Sequence, residues 1–294
     1  MKIVVTGAGG GLGRAFLAVA GAHHDVIPLM HDDLDIGDHH AVLGGIPPLG
    51  PDLIVNCAAF TKVDANETDQ PRAFRDNAQG PQSLALAARM SGARLLHVST
   101  DYVFDGLKPS PYLEDDPTHP NGVYGASKMA GEQAVLAAHA NSVILRTAWV
   151  YSPFGANFVK TMLRLAIDRE AISVVADQHG NPSNALDIAD GIISVARNLV
   201  TSEDPAQRGI FHMAGAGEAS WADFAEGIFA SSLACGGPTA MVRRIATSDY
   251  PTLAKRPANS RLDCGKIARV HGVELPNWHN SVDRVVRKLV QSAE

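Results

Sequence analysis

Residues 1–13 read MKIVVTGAGGGLG, and the stretch Thr6–Gly13, TGAGGGLG, decides the fold. Lys2–Gly7, KIVVTG, is a short apolar run that reads as a buried strand. GLGRAFLAVAGAH follows, with Leu12, Ala15, Phe16 and Val19 on one face at helical spacing. Gly7, Gly10 and Gly13 thus stand at G-x-x-G-x-x-G spacing between a strand and a helix. A turn there must be tight, and its backbone must approach a pyrophosphate. The phosphate charge then meets free N–H groups and the positive end of the helix. The spacing alone is a weak signal, but its place after the first strand points to a dinucleotide.

Working outward, short apolar runs alternate with helical patterns. Asp25–Leu29, DVIPL, is a strand that Pro28 demotes to an edge or an end. Asp52–Ala59, Arg94–Thr100 and Ser142–Tyr151 are further strands, and AFRDNAQGPQSLALAARMSG is one long helix with a proline in it. Repeated strand–helix–strand units predict an α/β fold, a Rossmann-type doubly wound parallel sheet covered on both faces. After about residue 150 the alternation loosens. ISVVADQHGNPSNALDIADGIISVARNL and GIFHMAG read as a return to the sheet, and the tail from about 215 as helices and loops. The expected division is a dinucleotide-binding domain in 1–148 and 185–215, with a smaller substrate-binding lobe in 149–184 and 216–294.

The chain has 294 residues, 46% of them hydrophobic, which is enough for a substantial core. Net charge is −6 with no long basic run, which argues against a nucleic-acid partner. Cys57, Cys235 and Cys264 are odd in number and widely spaced, so neither a disulfide framework nor a zinc site is suggested. No run of about eighteen apolar residues is present, so no membrane association is expected. The opening apolar run is too short for a signal peptide and turns straight into glycines, so the expected location is cytoplasmic.

Tyr124 and Lys128, in YGASK, stand four apart at the start of a helix and so share a face. A lysine ammonium beside a phenol favours phenolate and lowers a pKa that is ordinarily near 10. A tyrosine tuned this way can protonate a carbonyl oxygen as it becomes an alkoxide. Taken alone the pair would be an incidental surface feature. It gains weight from the glycine loop and from Thr100, which ends a strand at the carboxyl edge where such sheets bind ligands. At the end of the second strand, in LMHDDLDI, no carboxylate sits squarely in place, whereas His31 and Arg14 are placed to meet a 2′-phosphate. NADPH is the expected cofactor, with NADH possible.

With glycine loop, strand-end threonine and Tyr-x-x-x-Lys in order, the chain resembles the extended short-chain dehydrogenases/reductases. Within these it is similar to the dTDP-4-dehydrorhamnose reductase family. VNCAAFTKVDANE, STDYVFDG, VYGASKMAGE, LRTAWVY, DQHGNP and RPANSRLD carry the likeness. The resemblance implies reduction of the C4 keto group of a dTDP-4-dehydro-6-deoxyhexose. It makes Tyr124 the proton donor, with Lys128 and Thr100 beside it as catalytic residues. It places Gly7, Gly10, Gly11, Leu12, Gly13, His31, Asp35, Ile36, Ala58, Ala59, Thr61, Tyr124 and Lys128 at the cofactor. It places Thr100, Asp101, Trp149, Arg256 and Asn259 at the dTDP-sugar, with Lys255, Arg256 and Arg261 in a basic loop suited to a diphosphate.

The sequence departs from the family where VDAAE reads VDANE, with Asn66, and where glutamates of a cation-bridged dimer would fall, at Ala15 and near Leu186. No metal and a monomer or weak homodimer are therefore expected. The related 4,6-dehydratases carry Asp-Glu after the threonine, whereas Asp101 and Tyr102 follow Thr100 here. Another dTDP-4-keto-6-deoxysugar reductase is an alternative, as is a non-catalytic nucleotide-binding subunit like the regulatory subunit of methionine adenosyltransferase. Most of the twelve histidines read as surface residues, His97 as a core residue with a hydrogen-bond partner, and Cys57 as a small buried hydrophobe.

Overall fold

The computed structural model describes residues 1–291. The last three residues of the expected lobe, 292–294, lie outside the described residues. Six strands make one sheet: β1 (Lys2–Thr6), β2 (Asp25–Leu29), β3 (Leu53–Asn56), β4 (Arg94–Thr100), β5 (Ser142–Thr147) and β6 (Gly209–His212). They run parallel in the order β2-β1-β3-β4-β5-β6. β3 and β5 are buried at every residue, as strands covered on both faces must be.

Alternate residues feed opposite cores. Ile3, Val5, Leu53, Val55, Val143 and Leu145 pack with Phe16 of the helix Gly11–Ala20 and with the helix Ala185–Thr201. Val4, Ile54, Leu95 and Ile144 pack on the other face with Leu84, Ala85 and Ala88 of the helix Gly80–Ser91. β2 is the outermost strand, in line with Pro28. Asp25 N–H donates to Met1 O, and Leu29 O accepts from Ala8 N–H. Odd-numbered residues therefore face β1, and Pro28 faces outward.

A separate apolar cluster joins Tyr151, Met162, Phe224, Ile228, Trp278 and Val285 from segments beyond the fifth strand. The helices Phe158–Asp168, Trp221–Ala234 and Trp278–Gln291 supply most of it. The segment expected to continue the main sheet after residue 150 divides differently. Ala171–Val175 pairs instead with Met241–Ile245 in a two-stranded parallel sheet, a strand pairing the sequence did not suggest. The helix Gly265–His271, expected with the lobe, packs through Ile267 against the cluster under the main sheet.

Two elements differ in local form. The long helix is interrupted: Gln70–Phe74 is α-helical, Arg75–Gln79 is a π-turn, and Gly80–Ser91 is α-helical again. Pro81 has no N–H for the carbonyl four residues back, and Gly80 N–H bonds instead to Arg75 O, five residues back. The run Ser142–Tyr151 is also broken. β5 stops at Thr147, and Val150–Tyr151 pairs with Ser183–Asn184 as a separate short ladder.

Candidate active site

The chain leaves β1 toward β2 on one side and returns to β3 on the other, so a crevice opens between the carboxyl ends of β1 and β3. A cavity of about 770 Å³ fills it. Gly7, at φ +68°, approaches Ala58 after β3 so closely that a Cβ would lie 2.5 Å from Ala58 N. A Cβ on Gly13 would run into Gly7 O and Ala8, so the helix start seats directly on the turn. No side chain caps that helix at Gly10. A bare backbone pressed into a tight turn is what a pyrophosphate requires, and the residues present fit a dinucleotide.

Of the sequence-expected cofactor residues, Gly7, Gly10, Gly11, Leu12, His31, Asp35, Ile36, Ala58, Ala59, Thr61, Tyr124 and Lys128 line the cavity. Gly13 is buried one layer behind. Arg14 does not join His31; its guanidinium lies over the Phe154 ring, 5.1 Å from the centroid. Other cations take that position. Arg72 and Arg75 border a second cavity with His31 and Asp35, and Arg75 pairs with Asp35 at 3.3 Å. They lie some forty residues from His31 in the chain, and no local pattern marks them.

Thr100, Asp101, Tyr124, Lys128 and Trp149 meet in the same cavity. The helix Val123–Ala138 carries Tyr124 and Lys128, and its close seat depends on glycines. A Cβ on Gly125 would strike Tyr102 O, and one on Gly131 would strike Asn77 O. The Tyr124 ring meets Tyr102 edge-on, with centroids 5.4 Å apart. Asn77 ties the base of the helix down, donating to Ser127 Oγ (3.0 Å) and to Phe60 O (3.2 Å). Asn66, the odd residue in VDANE, is buried in the same network and donates to Phe60 O and Lys62 O. Arg146 on β5 clasps Glu132 on the helix, at 2.9 Å from Nε and 2.7 Å from Nη2. Ser99 donates to the same carboxylate at 2.5 Å.

The electrostatics differ from the expectation for the pair. Burial, then the Asp101 carboxylate, pushes the Tyr124 phenol above its ordinary value, while Thr100 hydrogen bonding pulls it back. Lys128 does not offset this, because its Nζ is drawn to β4. Nζ donates to Val98 O at 2.7 Å and lies 3.3 Å from His97 Nε2. Burial lowers Lys128 to about 8, against an opposing pull from Glu132. Burial raises Asp101 to about 6, against hydrogen bonds from Ser260 and Thr100. Cys57 stands just past β3 and lines the cavity half-buried, rather than mid-strand as expected.

On the opposite wall, Trp149 stacks on Trp221 with centroids 3.6 Å apart. Trp221, absent from the sequence reading, also lines the cavity. A capping box of Ser220 and Asp223 marks the start of its helix and was a legible signal for that boundary, though not for the stack. The basic loop sits differently from the expectation. Arg256 pairs with Asp64 at 2.8 Å and lies 3.5 Å from the Tyr102 hydroxyl. Asn259 spends its amide on the protein, donating to Lys108 O (2.6 Å) and Ser110 O (2.9 Å), and does not line the cavity. Arg261 is held by Asn259, Glu218 and Pro109.

Comparison with known proteins gives one consistent picture. The family model described as the RmlD substrate binding domain matches residues 1–291. A dTDP-4-dehydrorhamnose reductase of Sinorhizobium fredii is 46% identical over 290 residues, spanning 99% of this chain and 98% of that one. The crystal structure of a dTDP-4-dehydrorhamnose reductase from Clostridium acetobutylicum superposes with a TM-score of 0.92 at 37% identity, covering 98% of this chain and 99% of the other. One from Bacillus anthracis, in complex with NADP, superposes with a TM-score of 0.90 at 35% identity, covering 98% and 100%.

Proposed function

The chain belongs to the RmlD substrate binding domain family, and on that premise we propose that it reduces the C4 keto group of dTDP-4-dehydro-L-rhamnose to give dTDP-L-rhamnose, with NADPH as reductant. The observation that carries this reading is that Thr100, Tyr124 and Lys128 line the same cavity as the Gly7–Gly11 turn. When bound, NADPH supplies the hydride.

The chain's own residues supply the rest. Backbone of the Gly7–Gly13 turn holds the pyrophosphate; near the end of β2, Arg72 and Arg75 offer cations and His31 a ring nitrogen for a 2′-phosphate. Thr100 Oγ1 orients the carbonyl oxygen, and Tyr124 gives that oxygen its proton as the hydroxyl forms. The burial that raises the phenol keeps it protonated, as a proton donor must be. The paired indoles of Trp149 and Trp221 form a flat wall for the sugar. Arg256, near Tyr102, is the cation of the loop placed to turn from Asp64 toward the diphosphate.

The test is turnover of a dTDP-4-dehydro sugar followed by loss of NADPH absorbance. Tyr124→Phe is expected to lower kcat by about 10²–10⁴, the range of general acid catalysis. A wild-type chain that binds NADPH but leaves the sugar unreduced overturns the assignment.

A further inference from the structure

A line of polar side chains crosses the middle of the sheet. Thr6 Oγ1 on β1 donates to Asn56 Oδ1 on β3 at 2.8 Å. Ala58 N–H donates to the same oxygen at 2.9 Å. Asn56 Nδ2 meets His97 Nδ1 on β4 at 2.8 Å, and His97 Nε2 meets Lys128 Nζ at 3.3 Å. Asn56, His97 and Lys128 are all buried.

The hydrogens along this line follow by elimination. A backbone N–H can only donate, so the Asn56 atom facing Ala58 is the oxygen. The other end of Asn56 is then the NH₂ group, which donates, and His97 Nδ1 must accept. Burial alone lowers His97, and the Lys128 charge, when the lysine is an ammonium, adds to it; the two hold His97 well below the ordinary histidine range, so its ring is neutral. A neutral imidazole with a bare Nδ1 carries its one hydrogen on Nε2. That hydrogen points at Lys128 Nζ. An ammonium has three hydrogens and no lone pair, so it cannot accept; a free amine can.

We propose that His97 is a positioning residue for Lys128, presenting an Nε2–H that the lysine nitrogen accepts once it has given up a proton, so that the free-amine form of Lys128 is held against β4. Asn56 fixes the tautomer, and Ala58 and Thr6 fix Asn56.

The other groups facing Lys128 are accounted for. Cys57, from the end of β3, is a neutral thiol, raised by burial to about 12. On its own helix Lys128 has Tyr124 one turn before it and Glu132 one turn after. The Glu132 charge is engaged by Arg146 from β5 and by Ser99 from β4. Burial outweighs the attraction of Glu132 and brings the lysine to about 8. The His97 N–H acts in the same direction as burial.

The consequence rests on the reductase reading. Once Tyr124 has given its proton to the sugar oxygen, the phenolate takes one from the Lys128 ammonium. Tyr124 is then a phenol again, and the lysine is the free amine that His97 stabilises until water restores its proton.

The tautomer is read by nitrogen NMR on full-length protein carrying ¹⁵N-histidine, with the His97 signals assigned by their loss in His97→Gln. A neutral ring with hydrogen on Nε2 is expected near neutral pH; hydrogen on Nδ1, or a charged ring, overturns the proposal. The second measurement is the pH profile of kcat/KM. His97→Leu removes the N–H, so the alkaline limb is expected to move up by about one pH unit or more, the equivalent of tenfold. His97→Gln, whose amide can accept from Asn56 and donate to Lys128, is expected to keep the limb near its wild-type position. An unmoved limb in a folded His97→Leu enzyme overturns the proposal, and if that variant does not fold the tautomer still decides. Because the tautomer is read without turnover, failure of the reductase reading leaves a distinct signature: hydrogen on Nε2 in a chain that does not reduce the sugar.

Discussion

Trp149 and Trp221 stack face to face, with ring centroids 3.6 Å apart and planes 8° from parallel, while the Trp149 backbone sits at φ +48°. Among the described residues it is the only non-glycine with positive φ. Holding a bulky residue there costs about 1–3 kcal/mol, which the surroundings must offset. Ser183 N–H bonds to Trp149 O at 3.2 Å. Gly180 lies so near the indole that a Cβ would come within 2.5 Å of it. An aromatic pair contributes about 0.5–1.5 kcal/mol beyond its area. Trp221→Ala is therefore expected to raise KM for the dTDP-sugar by about threefold to tenfold and to leave KM for NADPH unchanged. Steady-state kinetics with each substrate varied in turn check this, and an effect confined to NADPH contradicts the wall assigned to the two indoles.

Asp101 is 4% exposed, and burial lifts its carboxyl from 3.8 to about 6. The folded state therefore holds this proton more tightly than the unfolded chain does. Stability contributed by the protonated form is present below about pH 4 and is lost as pH rises through about 6. Two units correspond to roughly 3 kcal/mol at most. Asp101→Asn is expected to raise Tm at pH 7 and to change it little at pH 4. Thermal unfolding at both pH values is the check; an equal change at both rules out the buried charge as the cause.

Arg146 and Glu132 are both 3% exposed at the side chain and joined at 2.7 Å. Removing one partner strands a buried charge, which typically costs about 3–5 kcal/mol. Arg146→Met should lose about that much stability, while Arg146→Met with Glu132→Gln should recover part of it. Urea midpoints for the single and double variants measure the difference, and a double variant weaker than the single one contradicts the account.

Arg256→Ala is expected to raise KM for the dTDP-sugar by about tenfold or more, since a hydrogen bond to a charged group contributes roughly 1.5–3 kcal/mol. Lys255→Ala, at an exposed position in the same loop, should change it far less. If Arg256→Ala leaves that KM unmoved, its pairing with Asp64 is purely structural.

The features legible in the sequence were those set by local spacing. The glycine turn, the core strands and the Tyr124–Lys128 helix follow from period and from what glycine alone permits. What the sequence hid is long-range. Spacing put Lys128 beside Tyr124 on one helix face, yet its nitrogen turns to β4, because Val98 O and His97 lie there across thirty residues of chain. Trp149 sits inside an apolar run that reads as strand, and only the stack with Trp221 shows why the run breaks. Asn66 looked like a substitution in a motif, and its role emerges only with Asn77 and Phe60 beside it. The strand Met241–Ile245 is largely exposed and carries two arginines, so no apolar alternation announced it. Asn259 and Arg261 read as ligand contacts because their bonds to Lys108, Pro109 and Ser110 cross about 150 residues.

Pro28 bears on how the molecule meets its neighbours. The sheet ends at β2, and an edge of free N–H and C=O groups invites a strand from another chain. Pro28 faces that edge with no hydrogen to give. A foreign strand docking there would find its ladder lacking a rung near the carboxyl end, close to where the cofactor turn begins. One imino acid on the outermost strand thus guards a crowded solution of these molecules against joining sheet to sheet, and it does so without touching the β1 face on which the site is built.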